Sequence, residues 1–165
     1  MNQIALELLL PDIDATNALG TLLAATRPEP AVVYLIGDLG AGKSSLARAA
    51  LRALGVRGAI RSPTYTLVER YSLPNAAEAL HLDLYRIVEV GELEFLGLTD
   101  VVAALWLVEW PERSAAALPM ADLEIRFQIA ERGRRARLTA RTEAGRGWAN
   151  RISTDPGLRA ISSVS

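Results

Sequence analysis

The sequence predicts an α/β fold, and three stretches carry that prediction. Val32-Val33-Tyr34-Leu35-Ile36 is a short apolar run, rich in β-branching at its start, that leads through Gly37-Asp38-Leu39-Gly40-Ala41-Gly42 into a helix beginning near Lys43. A strand, a glycine-rich loop and a helix in that order are the building unit of α/β sheets. In Leu105-Trp106-Leu107-Val108-Glu109 four apolar residues run directly into an acid, as in a buried strand that emerges from the carboxyl edge of a sheet. Asp122 to Ile129 alternates strictly, turns near Gly133 and returns through Ala136, Leu138 and Ala140, which predicts an antiparallel hairpin with one wet face. A chain of 165 residues fits one domain with a substantial core. Residues 1–150 are expected to form that domain and residues 151–165 a C-terminal tail, frayed from Ile161 to Ser165.

The elements follow in order. Ile4 to Leu10 reads as a first strand, stopped by Pro11. Asp12 or Asp14 can cap a helix whose apolar face is Ala15, Ala18, Leu19, Leu22 and Leu23. Arg27-Pro28-Glu29-Pro30 breaks it, the apolar strand and its loop follow, and the helix from Lys43 to Leu54 closes at Gly55. Ser62-Pro63-Thr64 is a turn signal ahead of an alternating strand towards Tyr71. In Leu80-His81-Leu82-Asp83-Leu84-Tyr85-Arg86 the leucines share one face, so His81, Asp83 and Tyr85 share the other. That polar trio either lines a site or forms the solvent face of a half-buried sheet, and pattern alone does not choose. Val90 to Leu98 reads as a short helix ending at Gly97. Arg132, Arg134, Arg135, Arg137 and Arg141 cluster in the late hairpin, as a solvated face or edge protection, with Arg134 the best candidate for a phosphate contact.

The glycine-rich loop has the spacing G-x-x-x-x-G-K-[ST]. Gly37, Gly40 and Gly42 permit backbone angles that let successive N–H groups turn around a phosphate, and the following helix points its positive end at the same anion. Lys43 can reach terminal phosphates, and the Ser44 hydroxyl can join the shell of a Mg²⁺ held between them. Glu109, at the sheet edge where such sites form, is placed to hold Mg²⁺ directly or through water; the plain alternative is an exposed glutamate at a strand end. The composition sets limits. No cysteine is present, which excludes disulfides and thiolate metal sites. No apolar run approaches a membrane span, and Met1-Asn2-Gln3 opens no signal-peptide pattern, so a cytoplasmic protein without membrane attachment is expected. A net charge of −1 gives no global footprint for nucleic acid.

Five motifs together, Gly37-Asp38-Leu39-Gly40-Ala41-Gly42-Lys43-Ser44, Ser62-Pro63-Thr64-Tyr65, His81-Leu82-Asp83-Leu84-Tyr85-Arg86, Glu92-Leu93-Glu94-Phe95 and Val108-Glu109-Trp110-Pro111, resemble the TsaE (YjeE) family in order and spacing over residues 4 to 140. The resemblance implies a P-loop NTPase-like α/β fold in three layers, with a mainly parallel central sheet and added antiparallel strands. It implies ATP and Mg²⁺ as ligands, slow hydrolysis, and a role in threonylcarbamoyl modification of the tRNA adenosine next to the anticodon. The partners would be TsaD and TsaB, with tRNA met through their complex. Carried over by motif, Gly40 to Ser45 would hold phosphates beside Gly37, Asp38 and Leu39, Ser44 and Glu109 would hold Mg²⁺, and Asp83 would lie near the γ-phosphate as a water-orienting or metal-shell acid; Lys43, Asp83 and Glu109 would carry the chemistry. Thr16 and Arg134 match family positions near the nucleotide. The family usually has Thr-Thr where this chain has Ser44-Ser45, and a serine hydroxyl can coordinate equally. Two other readings share the same loop: a small-molecule kinase, which needs an acceptor pocket and lid arginines, and a nucleotide-dependent binding module with negligible turnover.

Overall fold

The computed structural model describes residues 3–98 and 100–162, with Val90 and Ser162 described by backbone alone. Chain order is β1 (Ala5–Leu10), α1 (Ile13–Thr26), β2 (Ala31–Ile36), α2 (Lys43–Ala53), β3 (Val68–Ser72), β4 (Glu78–Asp83), β5 (Leu105–Glu109), β6 (Leu123–Ile129), β7 (Arg134–Ala140), α3 (Glu143–Thr154) and α4 (Pro156–Ser162). Short 3-10 segments at Val90–Leu96, Pro111–Arg113 and Ala115–Ala117 lie in the connections that follow β4 and β5.

One seven-stranded sheet runs β1-β7-β6-β2-β5-β4-β3. Its centre, β6-β2-β5-β4, is parallel. β7, β1 and β3 add antiparallel strands at the flanks. This is the P-loop NTPase-like arrangement the sequence predicts. Parallel strands need crossovers, so their inner residues are covered on both faces and read as continuous apolar runs. β2 and β5 do read that way, and both are buried almost throughout. The register sets Leu35 of β2 and Asp83 of β4 on either side of Glu109 of β5, so three strands end at one level.

On one face α1 to α4 pack over Leu10, Val33, Leu35, Leu107, Ile125 and Leu138. Asp12 caps α1, accepting the Ala15 N–H at 2.8 Å. Ala15, Leu19, Leu22 and Leu23 are buried as expected, but Ala18 is exposed. The buried stripe is turned towards Gly20 and Ala24, because α1 lies against α2 through Gly20. A Cβ on Gly20 would lie 2.5 Å from the Leu46 carbonyl oxygen, so a side chain there would push the helices apart. On the opposite face Leu80, Leu82, Trp106 and Val108 are covered by 3-10 turns and loops carrying Leu93, Leu96 and Leu118, so the third layer contains no α-helix among the described residues. The predicted short helix before Gly97 is one of these 3-10 turns.

Two expectations need correction. β7 lies between β1 and β6, so of the two readings of its arginines edge protection fails, while the solvated face holds at Arg135 and Arg137, which are exposed. Residues 151–162, read from sequence as a tail, are helical. Thr142 caps α3 through the Gly145 N–H at 3.0 Å, and Trp148 and Ile152, one turn apart, enter the core together with Ile161. Residues 163–165 of the expected frayed end lie outside the described residues. Truncating Trp148 to Ala is therefore expected to lower stability by about 3–5 kcal/mol, since it removes a large buried ring together with the hydrogen bond from its Nε1 to Thr26. Urea denaturation followed by circular dichroism measures this, and an unchanged midpoint would detach α3 from the domain core.

Candidate functional site

The ends of β2, β4 and β5 and the first turn of α2 enclose a cavity of about 500 Å³. Its lining includes Thr16, Leu39, Gly40, Gly42, Lys43, Ser44, Ser45, Asp83, Glu109 and Arg134, all singled out in the sequence. The loop that forms its floor depends on backbone freedom at Gly42, whose φ of 113° precedes the first residue of α2. Gly37, with φ 153°, has a second constraint: a Cβ there would meet the Phe127 carbonyl oxygen at 2.9 Å. Gly37, Asp38 and Ala41 do not line the cavity. Gly37 and Asp38 turn their carbonyl oxygens to the Lys43 ammonium, which donates to both, and Ala41 is buried in the core.

Lys43 is buried, and its Nζ stands 4.7 Å from the centre of the Trp110 ring. Burial pushes its ammonium below the ordinary lysine value, while the neighbouring Glu109 and Asp83 carboxylates pull it back up. Trp110 reaches this position because it adopts a left-handed backbone, φ 56°, which turns the chain sharply once β5 has delivered Glu109. Its ring also lies against Tyr85, centroids 4.9 Å apart.

Glu109 is only 2% exposed. Ser44 Oγ donates to its two carboxylate oxygens at 2.9 and 3.1 Å, and His81 Nε2 lies 2.7 Å from Oε2. A carboxylate can only accept, so His81 donates from Nε2. The solvated-strand readings fail at these positions. His81 is 0% and Asp83 6% exposed. Asp83 Oδ1 accepts the Tyr85 N–H at 3.0 Å and Oδ2 accepts from Thr64 Oγ1 at 3.3 Å. Tyr85 lies beyond the end of β4 and is partly exposed, yet still lines the cavity. The polar face of β4 is therefore an interior face that opens on the site.

The far wall comes from the antiparallel side. Arg134 at the start of β7 donates to the Gly40 carbonyl at 3.0 Å, tying the hairpin to the loop. Thr16 is buried on α1, with Leu10, Pro11, Asp12 and Ile13 beside it on the wall. Those four, with Thr64 and Trp110, were not identified as site residues from sequence, whereas Tyr85 was read with His81 and Asp83 on a shared polar face. Nothing local marks Leu10 to Ile13, because the sheet order that brings β1 and β7 next to the loop is a long-range property. His81 was read only as part of a face, and its role beside Glu109 appears once β4 and β5 are paired.

Ser44 and Glu109 offer two hard oxygen donors converging on one point at the cavity floor, which suits a Mg²⁺ that keeps its remaining positions for water and phosphate oxygens. Among the described residues no cluster of three or more His, Cys, Asp or Glu could hold a metal by itself. The donor set thus fits a metal that arrives with an anionic ligand. No helix among the described residues is long and apolar enough to cross a membrane.

His81 has a testable structural consequence. Replacing it with Leu leaves a buried carboxylate short of one charge-assisted donor, expected to cost about 1.5–3 kcal/mol. His81→Gln, whose amide can donate from a similar position, should recover most of that loss. Chemical denaturation of both variants measures this, and equal losses would show that ring packing, not the hydrogen bond, is what matters at this position.

Comparison with known proteins gives a consistent result. The family model described as "Threonylcarbamoyl adenosine biosynthesis protein TsaE" matches residues 10–137. The tRNA threonylcarbamoyladenosine biosynthesis protein TsaE of Haemophilus influenzae is 41% identical over 117 residues, 70% of this chain and 73% of that protein. The protein of the same name from Synechocystis sp. is 42% identical over 118 residues, 68% of this chain and 74% of that one. The crystal structure of Bacillus subtilus YdiB superposes with a TM-score of 0.75 at 25% identity, covering 93% of this chain and 97% of that one. Matched by that family model over residues 10–137 and by relatives at 41% and 42% identity, the chain belongs to the TsaE family.

Proposed function

We propose that the protein binds ATP with Mg²⁺, hydrolyses it slowly, and serves with TsaD and TsaB in threonylcarbamoyl modification of tRNA. The observation that best supports this reading is the pairing of Asp83 and Glu109 at the ends of adjacent strands, above a P-loop whose Ser44 already touches Glu109. A glycine-rich turn of purely structural use would not bury two carboxylates beside a lysine. The names of the Haemophilus influenzae and Synechocystis relatives support the tRNA role.

In this reading the N–H groups of the loop and of the first turn of α2 receive the phosphates. The Lys43 ammonium exchanges its two carbonyl partners for phosphate oxygens, and Arg134 closes the antiparallel side. Ser44 and Glu109 would hold Mg²⁺, which when bound offsets the charge of the phosphate oxygens. Asp83 keeps one oxygen on the Tyr85 N–H and can turn the other from Thr64 to the attacking water. That water attacks the γ-phosphorus, the bond to the bridging oxygen breaks, and ADP leaves as an anion; the water's proton passes to the phosphate released. His81 does not touch the nucleotide and acts through Glu109.

Asp83→Asn keeps size and most hydrogen bonding while removing the charge. ATP affinity is expected to change less than about threefold, while phosphate release in the presence of TsaD–TsaB falls by about ten- to a hundredfold, the loss of one charge-assisted hydrogen bond to the attacking water. Release at the wild-type rate would remove Asp83 from the chemistry. If wild-type release is negligible with and without TsaD–TsaB, the protein is a nucleotide-dependent binding module instead.

A further inference from the structure

A second cavity, a cleft of about 400 Å³, lies on the sheet face opposite the α-helices. Its walls are the 3-10 turns Val90–Leu96 and Ala115–Ala117, and its apolar lining includes Leu93, Leu98, Val101, Trp106 and Leu118. Large apolar side chains next to its lining residues in the chain are exposed. Phe95 follows the lining residue Glu94 and is 91% exposed, Val102 follows Val101 and is 92% exposed, and Met120 follows Pro119 and is 73% exposed. Val88, ahead of the first turn, is 87% exposed. An apolar cleft with exposed apolar neighbours in the chain marks an interaction site more often than a solvated surface.

The charge around it restricts the occupant. Glu89, Glu94 and Asp100 are exposed on the connection between β4 and β5. Of the exposed cations on the connections after β4 and β5, Arg86 lies over the Tyr65 ring and Arg113 over the ring of Tyr85, which lines the nucleotide cavity. An acidic margin repels RNA phosphates. It also repels itself, so a twofold pairing of two copies through this face would set like charges together. A protein that inserts apolar side chains from a basic surface is complementary on both counts.

The position of the cleft gives docking there a consequence. One wall continues from the end of β4, five residues of chain after Asp83 and Leu84; the other continues from the end of β5 through Trp110 and the turn Pro111–Arg113. The Tyr85–Trp110 ring contact joins the two paths beside the nucleotide cavity. We propose that this cleft is the docking site for a basic, apolar protein surface, and that its occupancy adjusts the strand ends carrying Asp83 and Glu109. This rests on the ATPase reading above, with a surface of the TsaD–TsaB complex as the occupant.

The test uses the full chain and purified TsaD–TsaB. Phe95→Asp and Val102→Asp change residues with almost no contacts to lose, and neither lies at the nucleotide site. Each should bind TsaD–TsaB about tenfold or more weakly by biolayer interferometry and lose the stimulated part of phosphate release. Glu94→Lys should weaken binding in the same direction. Unstimulated release, ATP affinity and the circular dichroism spectrum should match wild type in all three. Wild-type binding by the Phe95 and Val102 variants would overturn the docking site and leave the ATPase reading standing. Loss of ATP affinity in them would overturn it too, placing these residues in the nucleotide site. Failure of the wild type itself to bind TsaD–TsaB would overturn both. Wild-type self-association abolished by these variants would assign the cleft to a second copy.

Discussion

Burial of the Glu109 carboxylate is the constraint on which the rest of the site depends. Taking a carboxylate out of water costs several kcal/mol unless donors and opposite charge replace the solvent. Here the replacements come from two elements: Ser44 and the Lys43 ammonium from the first turn of α2, and His81 from β4. These groups meet only if β2, β5 and β4 are adjacent, parallel and in the register observed. The same arrangement brings Asp83 beside Glu109 and turns Trp110 onto Lys43. Sheet register, loop conformation and site chemistry are therefore one problem, solved together.

Much of this was legible locally. The loop and its helix are readable because glycine spacing, the lysine and the hydroxyl are all set within eight residues, and the α/β class follows from the strand ahead of them. Glu109 was legible because a buried parallel strand carries no polar residue until it leaves the sheet. His81 and Asp83 were half legible. Alternation puts them on one face, but whether that face meets water depends on β5 and the loops, which lie more than twenty residues away. The arginines of β7 illustrate the same limit, since being an edge strand or an inner one is a property of strand order. The C-terminal helices were overlooked for a different reason. Thr142 as a cap and Trp148 and Ile152 one turn apart are a genuine signal, but a helix with two glycines and five charged or hydroxyl residues dilutes it.

The two faces of the sheet divide the work. The helical face holds a continuous core that fixes α2 and, through it, the loop. The opposite face is covered by short 3-10 turns in the connections that leave the strand ends carrying Asp83 and Glu109. Such turns have few regular hydrogen bonds to break, so they can shift at less cost than a packed helix. A protein with a rigid phosphate cradle on one side and an adjustable cover on the other is suited to having its chemistry set by whatever rests on that cover.

The central claim is that Ser44 and Glu109 form a metal site completed by nucleotide phosphates. Calorimetric titration of ATP into wild type and Glu109→Gln, each with and without Mg²⁺, tests it most directly. The amide retains shape and hydrogen bonding but brings no charge to a cation. The account predicts that metal-free ATP binds both proteins within about twofold, while the gain in affinity on adding Mg²⁺ falls by about tenfold or more in the variant, the loss of a single charge-assisted contact. Equal losses with and without Mg²⁺ would contradict it, and would make Glu109 a structural anchor for the end of β5.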